Sequence, residues 1–158
     1  MNANLQSSSL PLDALESDPR QMAWMVGTPP PPQKRVRFDD GSMLRFPQNR
    51  WANSNYRNLV PTKVISRGHG PVVTLERADR QDVDALQFHP IGSSTPMRWD
   101  QSLLTNYTDG VVVLHRGQIV YERYAGALNA DTPHIAFSVT KSFFGCIGAC
   151  LVYEGLID

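Results

Sequence analysis

The stretch FSVTKSFFGCIGACLVYEGLID, from Phe137 to Asp158, leaves this chain little freedom. Apolar residues recur through it at helical spacing: Val139, Phe143, Ile147, Cys150 and Leu151 share one side, and Phe144 and Val152 another. Ser142, Gly145, Cys146 and Ala149 form a strip of small residues between them. A helix that is apolar nearly all round is a buried one. Its uninterrupted apolar core, Phe143 to Val152, is too short to span a bilayer. Gly155 followed by Leu156 predicts a glycine stop with its hydrophobic contact. The spacing therefore predicts one interior helix, which needs layers on several sides that the residues after it do not supply.

The first turn of that helix carries Ser138 and Lys141. Three residues apart on a 3.6-residue repeat, hydroxyl and amine lie on one face within hydrogen-bonding reach. A serine hydroxyl becomes a nucleophile only when a neighbouring base takes its proton, and a lysine can do so only in its neutral form. The positive end of the helix dipole and desolvation by Phe137, Phe143 and Phe144 are expected to lower the lysine pKa. Stability alone favours an acid in a first turn, so Lys141 breaks a local rule, as residues at functional sites often do. The bland alternative is a serine N-cap beside a solvated lysine. With twelve serines and three lysines in the chain, a Ser-x-x-Lys pair arises readily by chance, and context has to carry the functional reading.

Charge excludes one class of partner. Fifteen basic and fifteen acidic residues cancel, and Lys34, Arg35 and Arg37, the nearest approach to a basic patch, are followed at once by Asp39 and Asp40. Nucleic acid is not an expected partner. Cys146 and Cys150, one helical turn apart, are expected to be buried thiols rather than a disulfide. His69, His89, His115 and His134 form no metal-ligand spacing, so neither a metal nor a cofactor is expected. The N-terminus has neither a charged n-region nor an apolar h-region, which predicts a cytoplasmic protein without a membrane span.

Residues 1–20 are polar and serine-rich and read as a flexible tail. Residues 21–105 read as a leader of short elements. Gln21 to Gly27 offers Met22, Trp24 and Met25 as a short helix or docking strip, and Pro29 to Pro32 as a stiff spacer. Arg35 to Phe38 and Met43 to Phe46 alternate around Asp39-Asp40-Gly41-Ser42, predicting a small hairpin. Asn49 to Leu59 reads as a helix, Val72 to Leu75 as a strand, Asp82 to Leu86 as a short element, and Ile91 to Met97 as a loop. Asp100 is expected to cap a helix over Gln101 to Asn106.

From residue 106 the pattern is cleaner. Val111 to Leu114, a His115-Arg116-Gly117 turn, and Gln118 to Tyr124 predict a β-hairpin. A loop through Gly126, Asn129, Asp131 and Pro133 then delivers the chain to Ser138. The run DGVVVLHRGQIVYERYAG from Asp109, with HIAFSVTKSFFGCIGACLVYEGLID, resembles the opening of the class C β-lactamase-like serine hydrolases. The earlier WMVGTPPPPQKRVRFDDGSMLRFPQNRWANSNYRNLVPTKVISRG is similar to the leader of 6-aminohexanoate-dimer hydrolase-like members.

The resemblance implies an α+β fold, an antiparallel sheet flanked by helices of the β-lactamase/transpeptidase type, with the domain begun at 106–158 incomplete. It implies that Ser138 attacks the carbonyl of a small-molecule amide or ester and forms an acyl-enzyme. Lys141 would assist deprotonation, and the backbone N–H of Ser138 would supply half of an oxyanion hole. Two further motifs of these enzymes, Tyr-x-Asn and a Lys- or His-containing tripeptide ending in Gly, do not follow Ser138. Tyr56-Arg57-Asn58 and His115-Arg116-Gly117 have the right letters in the wrong order. The expectation is a serine hydrolase fragment with little activity by itself. The alternatives are a non-catalytic truncated paralogue acting as a binding protein, or a Ser-His-Asp arrangement with His134 or His115 as base.

Overall fold

The computed structural model describes residues 11–158, and the first half of the expected tail, 1–10, lies outside them. Within the tail, Asp13, Leu15 and Glu16 are exposed, and packing begins at Ser17. Asp18 caps α1 (Pro19–Met22), accepting the Arg20 N–H at 2.8 Å, and Ser17, Asp18 and Pro19 are buried. A cap followed by proline at the first helical position is a strong local start signal.

The leader closes on a small core of its own. Trp24, Val36, Met43 and Ala52 are buried, with Met22, Met25, Trp51, Tyr56 and Leu59 packed against them. The Lys34 ammonium donates to the Met22 carbonyl at 2.9 Å and lies over the Trp24 ring, which ties the far side of the proline run to this core. No hairpin forms over 35–46. Asp40 Oδ1 accepts the Ser42 N–H at 2.8 Å, and the link tightens into a 3-10 turn, Ser42–Leu44. That Asx turn points Met43 back at Val36, and the shared burial replaces strand pairing.

The helix expected over Asn49 to Leu59 is split into α2 (Gln48–Ala52) and a 3-10 turn, Tyr56–Asn58. Asn53, Ser54 and Asn55 interrupt it, with the Asn55 amide donating to the Trp51 carbonyl at 2.8 Å. Such side chains compete with the backbone for its own partners.

Val72 to Leu75 is not a strand, and its valines are exposed. The segment just after it is the one that finds a partner. Ile119 donates to the Glu76 carbonyl, and the N–H groups of Ala78 and Arg80 reach the carbonyls of Ile119 and Val120. Asp82 to Leu86 contains a 3-10 turn, Val83–Ala85. The loop of Ile91 to Met97 is closed by a two-residue ladder between β1 (Gln87–Phe88) and β2 (Met97–Arg98). The next helix, α3 (Trp99–Thr105), starts earlier than expected, with Arg98 at its N-cap and Asp100 in its first turn.

The predicted hairpin is present as β3 (Gly110–His115) and β4 (Gln118–Tyr124), antiparallel from Gly110 opposite Tyr124 to His115 opposite Gln118. Arg116 and Gly117 turn the chain with φ of 52° and 80°, the pair of left-handed residues that matches the strand twist. Tyr121 is its buried anchor. Its ring meets Trp99 edge-on, and its hydroxyl donates to Asp84 Oδ1 at 2.6 Å.

The last element, α4 (Val139–Tyr153), ends as its sequence predicts. Gly155 has φ of 69°, and the N–H groups of Leu156 and Gly155 return to the carbonyls of Leu151 and Val152 at 2.9 and 3.0 Å. That pair of bonds is the Schellman stop. The expected burial of this helix is not observed: no residue of α4 is buried, and Phe143, Phe144 and Ile147 are all more than half exposed. The expectation of buried thiols falls with it, because Cys146 and Cys150 are free and exposed. Periodicity reports what a helix is suited to pack against, and within 11–158 no layer lies over it. No helix among the described residues is long and apolar enough to cross a membrane.

Candidate active site

Ser138 stands at the N-cap of α4 and Lys141 three residues on, and the Lys141 amine donates to Ser138 Oγ at 3.2 Å. The position invites the bland alternative, and the geometry removes only its capping half, because Ser138 and Lys141 are both exposed. Ser138 has helical backbone angles and its side chain makes no capping hydrogen bond. Instead, carbonyls of the preceding turn take the first N–H groups: Ala136 from Val139, Phe137 from Thr140 and Ser138 from Lys141, at 3.0 to 3.1 Å. The hydroxyl is thereby released from the task an N-cap serine normally performs and is left to the lysine.

Phe137 makes this possible. Its φ of 42° places a bulky, non-glycine residue in the left-handed region immediately before the serine. That conformation costs about 1–2 kcal/mol for an L-residue, and strain of this kind gathers at functional sites. Nothing in the letters Ala-Phe-Ser signals it. The Phe137, Phe143 and Phe144 rings, expected to desolvate the amine, are all more than half exposed, so the shielding the sequence implied is not provided. The backbone N–H of Ser138 has no acceptor among the described residues, which leaves it open to a ligand oxygen.

The loop before the serine is held by the leader. Ile135 donates its N–H to the carbonyl of Asn53 at 2.8 Å, at the C-terminal end of α2. α2 is in turn fixed by Arg50, a buried arginine that sequence reading missed. Its guanidinium donates to the Ala14 carbonyl at 2.6 Å, to Ser17 Oγ at 2.7 Å and to Asp109 Oδ1 at 2.5 Å. One side chain therefore joins residues 14–17, α2 and the root of β3. The one available signal was an arginine within the helix read over Asn49 to Leu59, and a single charge in such a setting has no pattern to reveal its depth.

Neither misplaced motif joins the serine. His115-Arg116-Gly117 forms the hairpin turn, and Tyr56-Arg57-Asn58 lines a cavity with His134 on the leader side. His134 is spent locally, its Nδ1–H donating to the adjacent Ile135 carbonyl at 2.9 Å. No group of three or more His, Cys, Asp or Glu side chains among the described residues is arranged to hold a metal ion.

Comparison with known proteins places this geometry in context. No family model matches the chain. It is 31% identical over 117 residues to 6-aminohexanoate-dimer hydrolase of Paenarthrobacter ureafaciens, an alignment covering 74% of this chain and 28% of that protein. Its fold is similar to the solved structure of a proposed 6-aminohexanoate-dimer hydrolase from Bacillus anthracis. There the TM-score is 0.66 at 26% identity, over 78% of this chain and 32% of the other. The chain thus spans about a third of the length of these relatives. Over that span it is a distant homologue of 6-aminohexanoate-dimer hydrolase and the β-lactamase-like superfamily, with a mixed fold of antiparallel sheet and flanking helices.

Proposed function

We propose that this chain carries the nucleophile half of a serine hydrolase site, in which Ser138 is acylated by a small linear amide or carboxylic ester. The observation that carries this reading is the 3.2 Å hydrogen bond between the Lys141 amine and a Ser138 hydroxyl not engaged in capping. In its neutral form Lys141 takes the hydroxyl proton as Oγ bonds to the substrate carbonyl carbon. The carbonyl oxygen becomes an oxyanion, and the free N–H of Ser138 donates one of the hydrogen bonds that stabilise it. Collapse of the tetrahedral intermediate breaks the bond to the amine or alcohol, which leaves with a proton. Water then attacks the acyl ester and releases the acid. The distant homology to a serine-hydrolase-like family supports this reaction class, and the domain division at about residue 106 belongs to the same reading.

Modification by an acylating probe draws on the nucleophile, its base and the Ser138 N–H, and labelling reads these groups directly. A fluorophosphonate probe is expected to leave one adduct on the peptide containing Ser138, absent from Ser138→Ala. No adduct, or one that survives the substitution, rules the reading out.

A second reading, a non-catalytic binding protein, is favoured by the exposed apolar surface of α4. It predicts self-association of the purified chain. A monomer in sedimentation that melts cooperatively and labels at Ser138 would eliminate it.

A further inference from the structure

The chain has two cysteines, and both stand free and exposed on α4, at Cys146 and Cys150. Four residues apart on a helix, their Cβ atoms lie on one face about 5–6 Å from each other. A disulfide needs Cβ atoms about 3.5–4.5 Å apart, so the two sulfurs cannot join while α4 keeps its backbone. An ion between them fits. A metal–thiolate bond is about 2.3 Å long, so an ion held in line by two sulfurs sets them about 4.6 Å apart, a span that thiols one turn apart reach without unwinding the helix.

The surroundings of the pair select the ion. Its neighbours three or four residues away on the helix surface are Ser142, Phe143, Ile147, Ala149, Tyr153 and Glu154. None of them is cationic, so none repels an incoming positive charge. Glu154 does not complete a set of three ligands, because no such group exists among the described residues. Zinc takes four ligands and is poorly served by two thiolates alone. A soft cation that is satisfied by two thiolates, as Cu(I) is, matches the donor set. Access is open: no residue of α4 is buried, and a Cβ added at Gly145 or Gly148 would meet nothing within 4 Å.

We propose that Cys146 and Cys150 form a two-thiolate site for a soft monovalent cation of the Cu(I) class. On binding, each thiol releases its proton to solvent and each sulfur donates a lone pair to the ion, with no change of oxidation state. The resulting bridge crosses one turn of α4 beside two glycines, the residues that weaken a helix interior most after proline, and so it stiffens that turn. The site begins about 12 Å along the helix from Ser138 and uses neither the serine nor the lysine. It therefore stands or falls apart from the hydrolase reading.

The test titrates the reduced 158-residue chain, without oxygen, against the coloured complex of Cu(I) with bicinchoninate. The chain is expected to withdraw one ion per chain, to carry one copper per monomer in native mass spectrometry, and to slow amide hydrogen exchange across Ser142 to Tyr153. Cys146→Ser or Cys150→Ser should each weaken binding about 100-fold or more, the order of the gain from joining two donors. Ile147→Cys combined with Cys150→Ser keeps two thiols but turns them away from each other, and should bind as weakly as the single variants. All three positions are exposed, so the variants are expected to fold, and unchanged circular dichroism checks this. No copper withdrawn by the wild type, an affinity that survives either serine variant or is matched by the displaced pair, or one ion shared between two chains would overturn the proposal.

Discussion

Replacing Arg50 by alanine strands three acceptors at once: the Ala14 carbonyl, the Ser17 hydroxyl and the Asp109 carboxylate. The two charged side chains are only 6% and 14% exposed, so water cannot readily take over. Removing one partner of a buried ion pair costs about 3–5 kcal/mol, a large share of the roughly 5–15 kcal/mol that holds a domain together. With a urea slope of about 2 kcal/mol per molar, the unfolding midpoint should fall by about 1.5–2.5 M. Tryptophan fluorescence can follow it, because Trp24 is buried in the leader core. Arg20→Ala is the control: that arginine pairs with Asp18 but is largely exposed, and its loss should move the midpoint little. The double variant Arg50→Met with Asp109→Leu should recover much of the deficit, since no unpaired charge remains. If Arg50→Ala shifts the midpoint no more than Arg20→Ala does, the buried clamp is not the link between leader and hairpin described above.

Two glycines should respond with opposite signs. Gly126 has φ of 58°, and an added Cβ would sit 2.9 Å from Asp109 Oδ1, so Gly126→Ala should cost about 1–2 kcal/mol or more in thermal unfolding. Gly145 lies inside α4 with open space around it, and Gly145→Ala should instead add about 0.5–1 kcal/mol. A loss at Gly145 would mean that α4 is covered in solution. Acid should loosen the contact between the hairpin and the turn at Asp84. Hydrogen bonds from Tyr121 and Arg123 hold the Asp84 carboxyl below its ordinary range. Its contribution to stability is therefore present above about pH 3.9 and lost as pH falls through the depressed value. Asp84→Asn should flatten the acid limb of a stability–pH curve, and an unaltered limb would exclude the coupling.

The parts of the fold legible in the sequence were those set by local chemistry. β-branched residues around Arg116-Gly117 announced β3 and β4, and Gly155-Leu156 announced the end of α4. The proximity of Ser138 and Lys141 followed from helical spacing alone. What stayed hidden depended on partners distant in sequence. Glu76 to Arg80 has no strand letters, yet it borders β4 because Ile119 and Val120 offer it an unpaired edge. The letters of Val72 to Leu75 were right for a strand that has nothing to pair with. Arg50 joins residues 59 positions apart in its bond to Asp109, and no local pattern encodes that. For the site, composition indicated a buried helix, whereas exposure depends on what lies against it; the backbone of Phe137, which frees the serine from capping, had no signal in the letters.

If Lys141 activates Ser138, the rate at which a fluorophosphonate modifies that serine depends on the amine. Measured by mass spectrometry on the Ser138 peptide at one pH, the second-order rate constant should fall about 100-fold or more in Lys141→Ala, the scale of a lost general base. Unchanged circular dichroism would show that α4 still forms. Equal rates with and without the lysine, or a Ser138 no more reactive than the exposed Ser93, would contradict it.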